Sequence, residues 1–182
     1  MKNIKHAGCL LLLNVMMQWY SYGSTFDSLA LVDRRSIEES LVLLKNTDDL
    51  LPLSKLDTLN IGTIFLGLSE NKKTFQKRIG SYKASYSIEG NVALNIQPQS
   101  NNLLIVGIDS VGATFKSQIE VLTSDLKGLK KSTQVVLIVQ SINPIVNQLE
   151  LFDLAASVIY APKGTDLSFD LGIQSVFGGI GL

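Results

Sequence analysis

The stretch that decides the fold class is Leu103-Leu104-Ile105-Val106-Gly107-Ile108. An unbroken apolar run of this length is typical of a β-strand that is buried on both faces of a sheet. Gly112 and a predicted helix from about Thr114 to Lys130 follow it, and a second apolar run, from Gln134 to Gln140, repeats the pattern. Buried strands that alternate with helices predict a parallel sheet with helices on both of its faces.

The same alternation extends to both sides of this stretch. We predict further strands at Asn60 to Leu68, Lys83 to Ile88, Val92 to Ile96 and Ser157 to Ala161. We predict further helices from Ser69 to about Ser81, from Pro144 onward, and from Leu167 to Phe177. The expected fold is an α/β three-layer sandwich with a mostly parallel, flavodoxin-like sheet of about five or six strands and helices on both faces.

The N-terminus has the order of a secretory signal peptide. Lys2 and Lys5 precede an apolar run from Ala7 to Met17, and small polar residues follow it. A helix that crosses a bilayer needs about 20 apolar residues, more than this run provides. We therefore predict a signal peptide at residues 1–23, export to the periplasm or the extracellular space, and one α/β domain at residues 24–182. The alternative is an uncleaved amphipathic leader, which would be the only contact with a membrane.

Composition narrows the chemistry of the mature domain. The chain of 182 residues has one histidine, one cysteine and one tryptophan, and all three (His6, Cys9 and Trp19) lie in the predicted leader. Hydrolysis by a serine or cysteine with a histidine base, and zinc sites built from His and Cys, are therefore excluded for the mature domain. Because no disulfide is available, packing of the 46% hydrophobic residues must stabilise the domain.

Charge argues against nucleic acid as a partner. The chain carries 16 basic and 16 acidic side chains, and without Lys2 and Lys5 its net charge is about −2. A field of this size does not attract nucleic acid or an anionic membrane. One predicted helix has a small basic face that consists of Lys72, Lys73, Lys77 and Arg78. We interpret this face as a solvated surface, because no aromatic residues are interleaved with it.

The segment from Asp33 to Lys45 has the apolar spacing of an amphipathic helix. Ile37, Leu41 and Leu44 recur on one face, so we predict a helix that docks on another surface. The following Leu50-Leu51-Pro52-Leu53 is predicted to be extended, because proline cannot continue a helix.

Two strings in this region resemble a known family. They are Arg35-Ser36-Ile37-Glu38-Glu39-Ser40-Leu41-Val42-Leu43-Leu44-Lys45-Asn46 and Leu50-Leu51-Pro52-Leu53. A helix, a short polar turn and this proline-containing string, in that order, are similar to the opening of the C-terminal domain of glycoside hydrolase family 3. The later segments fit more loosely, including Phe177-Gly178-Gly179. The resemblance covers about residues 30 to 182 and fits exported bacterial members of the N-acetylhexosaminidase and β-glucosidase type.

The resemblance also implies a partner that the sequence lacks. Family members carry a preceding (β/α)8 barrel with the aspartate nucleophile, and in the hexosaminidase branch a His-Asp pair on the barrel supplies the acid and base. Nothing between Ser24 and Leu31 can form a barrel, and no motif matches the glutamate that the second domain supplies in many glucosidases. The chain also stops at Leu182, where relatives usually continue. We therefore assign no catalytic residue, no cofactor-binding residue and no metal ligand.

Acidic residues are the remaining candidates for a catalytic pair, because retaining glycoside hydrolysis needs two carboxyl groups about 5 Å apart. The most closely spaced acids are Glu38 and Glu39, Asp48 and Asp49, Glu150 and Asp153, and Asp166 and Asp170. Such pairs usually lie on solvated faces, in turns or at helix starts. We interpret all of them as structural.

Two glycine-rich strings resemble phosphate or nucleotide motifs. Gly107 to Gly112 has the glycine spacing of a phosphate loop, but Ala113 and Thr114 follow where a phosphate-binding lysine is required. We interpret its glycines as requirements of a tight turn. Gly178-Gly179-Ile180-Gly181 ends the chain instead of opening a helix, so it is not a dinucleotide fingerprint.

Sugar-binding sites usually contain exposed aromatic platforms. Phe65, Tyr160 and Phe177 lie in core-like patterns, which leaves three candidates for a surface platform: Tyr82, Tyr86 and Phe169. Core or edge packing is favoured for each of the three.

Open parallel sheets bind ligands beyond the carboxyl ends of their strands. We expect those ends at Gly67 to Ser69, Asp109 to Gly112, Ser141 to Asn143, and Pro162 to Thr165. These strand ends indicate where a ligand would bind, but they do not show that a ligand binds there.

The sequence thus predicts an orphan or truncated C-terminal domain of an exported family 3 glycoside hydrolase, associated with carbohydrate metabolism. It should be noncatalytic alone and act as an accessory or binding module, with no cofactor and with a barrel domain or a carbohydrate as its partner. The alternative is an independently active glycosidase that uses Asp and Glu carboxylates. The helix from Asp33 to Lys45 is the expected docking element, and apolar surface left exposed without the partner predicts self-association.

Overall fold

The computed structural model describes residues 30–67, 69–88, 102–109, 115–129, 132–140, 149–162 and 165–182. Contacts divide the chain into two units, Met1–Ser36 and Ile37–Leu182. In the first unit the described residues are 30–36, and they are helical. The predicted leader at 1–23, the predicted strand from Val92 to Ile96 and the predicted helix start at Pro144 lie outside the described residues. No helix in the described ranges is long and apolar enough to cross a membrane.

The unit Ile37–Leu182 is built on a sheet with six strands among the described residues. They are β1 (Val42–Asn46), β2 (Asn60–Leu66), β3 (Ser85–Ser87), β4 (Asn102–Ile108), β5 (Gln134–Val139) and β6 (Ser157–Tyr160). Their order across the sheet is β1-β6-β5-β4-β2-β3. Every neighbouring pair is parallel except β1 and β6, which are antiparallel. Without β1 the strands follow the flavodoxin order, which confirms the predicted sheet.

The described ranges contain five α-helices. They are α1 (30–38), α2 (Ser69–Tyr82), α3 (Phe115–Lys127), α4 (Leu149–Leu154) and α5 (Asp166–Val176). The bounds of α2, α3 and α5 agree with the predicted helices to within a few residues.

Alternating residues of the buried strands face two separate cores, because successive side chains of a strand point to opposite faces. On one face, Ile105 of β4 belongs to a cluster with Phe75 of α2 and Phe169 of α5. On the other face, Val106 of β4 belongs to a cluster with Leu122 of α3 and residues of α4. The sheet is therefore the middle layer of three, as predicted.

The predicted helix from Asp33 to Lys45 is wrong beyond the end of α1. The chain turns at Ser40, whose hydroxyl donates to the Ile37 carbonyl over 2.7 Å, and continues as β1. Ile37 and Leu41 are buried as predicted, but Leu44 is 49% exposed. The backbone edge of β6 offers a ladder of hydrogen bonds to this segment, and that tertiary partner outweighs its helical spacing.

The Asn46 side chain holds the segment that follows β1 in place through two hydrogen bonds. It donates to the Leu51 carbonyl over 3.1 Å and accepts from the Leu51 N–H over 3.0 Å. Leu51 and Leu53 are buried, and the Leu53 N–H donates to the Val176 carbonyl over 2.8 Å. The segment is therefore not helical, as its proline predicts, and it connects β1 to the end of α5.

Three phenylalanine rings fill the core between β2, α2 and α5. The ring centroid of Phe65 lies 5.3 Å from those of Phe75 and Phe169. Phe169 is 1% exposed, which confirms core packing for this candidate surface aromatic. A β-carbon on Gly107 of β4 would lie 2.7 Å from the Phe65 ring and 2.8 Å from the Phe75 ring. Ring packing therefore requires this glycine.

Candidate ligand site at the carboxyl edge of the sheet

The carboxyl ends of β2, β4 and β5 meet at one edge of the sheet. Strand pairing continues one residue beyond the end of β4 and β5. The Asp109 N–H donates a hydrogen bond to the Leu66 carbonyl over 2.8 Å, and the Gln140 N–H donates one to the Ile108 carbonyl over 2.9 Å. Gly67, Asp109 and Gln140 therefore stand side by side on one face. Both polar side chains are buried, with 4% and 5% of Asp109 and Gln140 exposed.

Gly67 leaves room for the Asp109 side chain. Its φ is +149°, and a β-carbon there would lie 2.4 Å from the Asp109 β-carbon. Any other residue would collide with Asp109 and would adopt a backbone conformation that L side chains rarely adopt. This close approach explains the glycine that directly follows β2.

Asp109 connects the end of β4 to the first turn of α2. Its Oδ2 accepts a hydrogen bond from Asn71 Nδ2 over 2.7 Å. A carboxylate beside the first turn of a helix is stabilised by the helix dipole. Asp109 can therefore act as a fixed hydrogen-bond acceptor at this edge.

Gln140 connects the end of β5 to the start of α5. Its Nε2 donates to the Thr165 carbonyl over 2.8 Å and to Ser168 Oγ over 2.9 Å. Thr165 and Ser168 also form a capping box at the start of α5. Gln140 Oε1 is buried and has no hydrogen-bond partner within the part of the chain that the structure describes. Exchanging the positions of Nε2 and Oε1 in the Gln140 amide would remove the hydrogen bond to the Thr165 carbonyl, because a carbonyl oxygen can only accept a hydrogen bond.

A cleft of about 450 Å³ opens beside this edge, between β2 and α3. The strand order reverses between β2 and β4, because β2 leads to β3 on one side and β4 leads to β5 on the other. As a result α2 and α3 cover opposite faces, and the crevice between their first turns is where open α/β sheets bind ligands. The cleft is therefore the candidate functional site of the described structure.

The cleft combines apolar walls with four polar side chains. The apolar part comes from β2, from Ile88 after β3, and from α3, where Val121 is 59% exposed. The polar side chains are Lys72, Ser117, Gln118 and Asp125. Only 8% of Asp125 is exposed, so it adds a buried carboxylate to a mainly apolar wall. The cleft thus offers hydrogen-bond donors and acceptors beside apolar surface.

Four of the eight closely spaced acids of the sequence lie in ion pairs or in a turn. Asp170 accepts from Arg78 of α2 and from Gln174. Glu150 forms a 2.6 Å ion pair with Lys127. Asp48 and Asp49 lie exposed in a short 3-10 turn with positive φ values of 55° and 49°. Within the described ranges, no group of three or more His, Cys, Asp or Glu residues could hold a metal ion.

The basic face on α2 is interrupted. Arg78 is bound to Asp170 of α5 while its side chain stays 40% exposed, so this residue of the solvated face also links α2 to a neighbouring helix. The sequence could not show this, because the partner carboxylate lies 92 residues away.

The interpretation of Gly107 as part of a tight turn is wrong. Gly107 lies inside β4 against two phenylalanine rings, and Gly112 lies outside the described residues. Tyr82, another candidate surface aromatic, is stacked on Phe177 at a centroid distance of 4.5 Å, which is edge packing. The side chain of Tyr86 lies outside the described structure.

Sequence reasoning missed four residues of this region: Asn71, Gln118, Asp125 and Gln140. Gln140 carried a usable signal, since a polar residue ends an apolar strand there. Asp125 lies between Leu122 and Leu126, and that position on the apolar stripe of α3 was the available signal for its burial. Asn71 and Gln118 had no distinguishing sequence signal, because their place depends on how the helices pack.

Comparison with family models and with curated protein sequences finds no match. Among solved structures, the chain is similar to part of a fungal multi-domain GH3 β-N-acetylglucosaminidase, with 14% identity, a TM-score of 0.61, and coverage of 85% of this chain and 18% of that one. It is also similar to part of a Listeria innocua β-glucosidase, with 15% identity, a TM-score of 0.54, and coverage of 80% and 24%.

A third similar structure is a glycoside hydrolase family 3 β-N-acetylglucosaminidase from Paenibacillus sp. str. FPU-7. Identity is 14%, the TM-score is 0.52, and coverage is 82% of this chain and 30% of that one. The chain thus spans less than a third of the length of each of these three proteins. At these identities the similarity establishes a shared fold with regions of glycosidases.

Proposed function

We propose that this chain is a C-terminal-type domain of a family 3 glycoside hydrolase and serves as a noncatalytic accessory or binding domain. The observation that carries the proposal is fold similarity over 80% or more of the chain to regions of two β-N-acetylglucosaminidases and a β-glucosidase. The string from Arg35 to Leu53, which resembles the opening of that domain, supports it independently. The partner in this proposal is a barrel domain that carries the catalytic residues.

The described site supports a noncatalytic role for the chain alone. Retaining glycosidases place two carboxyl groups about 5 Å apart, and inverting enzymes place them about 6.5–9.5 Å apart. Asp109 at the strand edge has a neutral amide, Asn71, as its side-chain partner. Asp125 lies on α3 and lines the cleft on the other face of the sheet. The two buried carboxylates therefore belong to opposite faces of the sheet instead of to one catalytic pair.

The docking element in this proposal is α1, which begins before the predicted helix at Asp33 to Lys45 and overlaps it only at residues 33–38. Leu31 and Val32 are 67% and 66% exposed. Adjacent exposed apolar side chains are typical of an interaction surface. Changing both to Asp should weaken binding to a barrel without disturbing the core of the unit Ile37–Leu182.

Export is part of the same proposal. The basic, apolar and small-residue order of the first 23 residues supports a cleaved signal peptide. Cell fractionation and the N-terminal sequence of the mature protein test it. A full-length chain that stays in the cytoplasm would contradict export and leave the domain assignment unaffected.

The main experiment is a hydrolysis assay with chromogenic N-acetylglucosaminide and glucoside. The purified chain is assayed alone, with a barrel-only family 3 protein, and as the L31D/V32D variant with the same barrel. We expect no turnover by the chain alone, and binding to the barrel that the double variant loses. Turnover by the chain alone that disappears on Asp109→Asn or Asp125→Asn would establish an independent glycosidase instead. A chain that neither hydrolyses substrate nor binds any barrel would contradict the accessory role.

A further inference from the structure

We propose that the carboxyl edge of the sheet binds a primary ammonium group between Asp109 and Gln140. The site lies on the face that α2 and α5 cover, since Asp109 is bonded to Asn71 of α2 and Gln140 to Ser168 of α5. It is therefore separate from the cleft beside α3, which lies on the other face. The inference does not depend on the proposed function, because it comes from the hydrogen bonds and charges of this edge.

Two neighbouring side chains at this edge have unused capacity to accept hydrogen bonds. Gln140 Oε1 is buried without a partner in the described structure, while Gln140 Nε2 already donates to Thr165 and Ser168. Asp109 accepts a single side-chain hydrogen bond among the described residues, from Asn71 at Oδ2. The two side chains stand next to each other on one face, so one donor group can reach both. Because a buried acceptor without a donor costs free energy, the pair indicates a ligand that donates hydrogen bonds.

The charge of this edge favours a cation. Asp109 is 4% exposed and forms no ion pair with a lysine or arginine of the described ranges, although a buried aspartate usually has a charged partner. The first turn of α2 supplies a partial charge of about +0.5, which offsets part of the full negative charge. At the start of α5, Thr165 already accepts from the Ser168 N–H, and Asp166 adds a second carboxylate to the first turn. A positive group would therefore complete the charge balance at Asp109.

Among cations, a primary ammonium fits this pair of acceptors best. It is a compact charge with three donors, whereas a guanidinium is a wider planar group, and the two side chains are only 4% and 5% exposed. A divalent metal ion requires more oxygen ligands than Asp109 and Gln140 supply. A neutral hydroxyl donates a hydrogen bond but leaves the Asp109 charge without a partner, and an anion is repelled by it.

The test is an NMR titration of the full chain with methylammonium, with methanol and with potassium ion at constant ionic strength. We expect methylammonium to shift the side-chain amide resonances of Gln140 and Asn71, with a dissociation constant on the order of 1 mM. Methanol is a donor of similar size without charge, and potassium is a charge without a donor, so neither should cause this shift. No response to methylammonium, or an equal response to either control, would overturn the proposal.

Two matched variants decide whether Asp109 holds the ammonium group. Asp109→Asn keeps the shape of the side chain and an oxygen that accepts from Asn71, but it removes the charge, so methylammonium binding should weaken by about tenfold or more. Asp153→Asn removes the charge of an exposed residue on α4 and should leave binding unchanged. Thermal unfolding checks that both variants fold, and if Asp109→Asn does not, the comparison of the three probes on the wild-type chain decides. Equal affinities in two folded variants would overturn the proposal.

The barrel-binding assay identifies the source of the ammonium group. If a lysine of the barrel supplies it, methylammonium should compete with the barrel, and Asp109→Asn should weaken barrel binding. If the ligand is a free amine, the barrel should bind the wild-type chain and this variant equally. The L31D/V32D variant should still bind methylammonium, because its changes lie on α1. A chain that binds the barrel but no methylammonium would overturn this inference alone, and the reverse result would overturn the docking role alone.

Discussion

Arg78 and Asp170 join α2 to α5 through two hydrogen bonds. Arg78 Nη2 donates to Asp170 Oδ2 over 2.7 Å, and Arg78 Nε donates to Asp170 Oδ1. The Arg78 side chain is 40% exposed and that of Asp170 13% exposed, so the pair lies at the border between core and solvent. A bidentate pair in this position links the two helices that cover one face of the sheet.

A double-mutant cycle on this pair should show a measurable coupling. We expect about 1 kcal/mol between Arg78→Met and Asp170→Asn, since the exposed arginine is partly screened by solvent. The measurement is urea unfolding of the four proteins. Lys127 and Glu150 form the matched control, because their side chains are 50% and 59% exposed. Their coupling should stay below about 0.5 kcal/mol, and equal couplings for the two pairs would contradict the structural distinction.

Replacing Gly67 by alanine should destabilise the domain by about 2–3 kcal/mol. The new β-carbon would lie 2.4 Å from the Asp109 β-carbon, at a φ of +149°. Gly80→Ala on α2 is the control, because a β-carbon added there would have no atom within 4 Å among the described neighbours outside its own helix backbone. In a helix that change should stabilise by about 0.5–1 kcal/mol. Unfolding midpoints that shift in the same direction would show that the crowding at Gly67 is not real.

Replacing Gly107 by alanine should cost about 1–3 kcal/mol through overpacking. The added methyl group would meet the rings of Phe65 and Phe75 at 2.7 Å and 2.8 Å. Adding Phe65→Leu to Gly107→Ala should recover part of that loss, because the smaller side chain frees space beside the methyl group. Thermal unfolding measures both variants. If the destabilisations caused by Gly107→Ala and Phe65→Leu simply add, contact with the Phe65 ring is not the reason for a glycine at position 107.

Charge on the edge strand should reduce self-association of the domain. Val42 and Leu44 of β1 are 44% and 49% exposed, and the Lys45 ammonium donates to the Phe152 carbonyl over 3.0 Å instead of extending from the edge. A lysine on an edge strand opposes pairing with another strand. Leu44→Lys should therefore lower the sedimentation-average mass at high concentration and change stability by less than about 0.5 kcal/mol.

Ser124→Lys adds the same charge to an exposed position of α3 and serves as the control. It should leave self-association unchanged. A wild-type chain that is monomeric at every concentration would contradict the prediction that the domain self-associates.

The buried strands were predictable because their signal is local. β4 and β5 are unbroken apolar runs, and the structure places them in the centre of the sheet with almost no exposed surface. The helices after β2 and β4 were predictable for the same reason. Ile37 of α1 is buried as its helical spacing predicts, but the same spacing continued beyond α1 into a segment that became β1.

The location of the candidate site in the fold was predictable from the sequence, but the set of residues that forms it was not. The glycine, aspartate and glutamine after three buried strands stand together as the rule for parallel sheets requires. Their partners could not be predicted, because Asn71 lies 38 residues from Asp109 and Ser168 lies 28 residues from Gln140. The cleft depends on the packing of α3 against β2, which no short-range pattern specifies.

The amino-acid sequence by itself determined the alternation of buried strands and helices and the position of the single histidine and the single cysteine, His6 and Cys9, near the N-terminus, because both follow from composition and local spacing. Only the tertiary structure decided that Val42–Asn46 is a strand, that Arg78 binds Asp170, and that Asp125 lines a cleft. The physical reason is that a backbone edge, a charged partner and a cavity wall are each supplied by residues distant in the chain, and they come together only when the sheet takes its order.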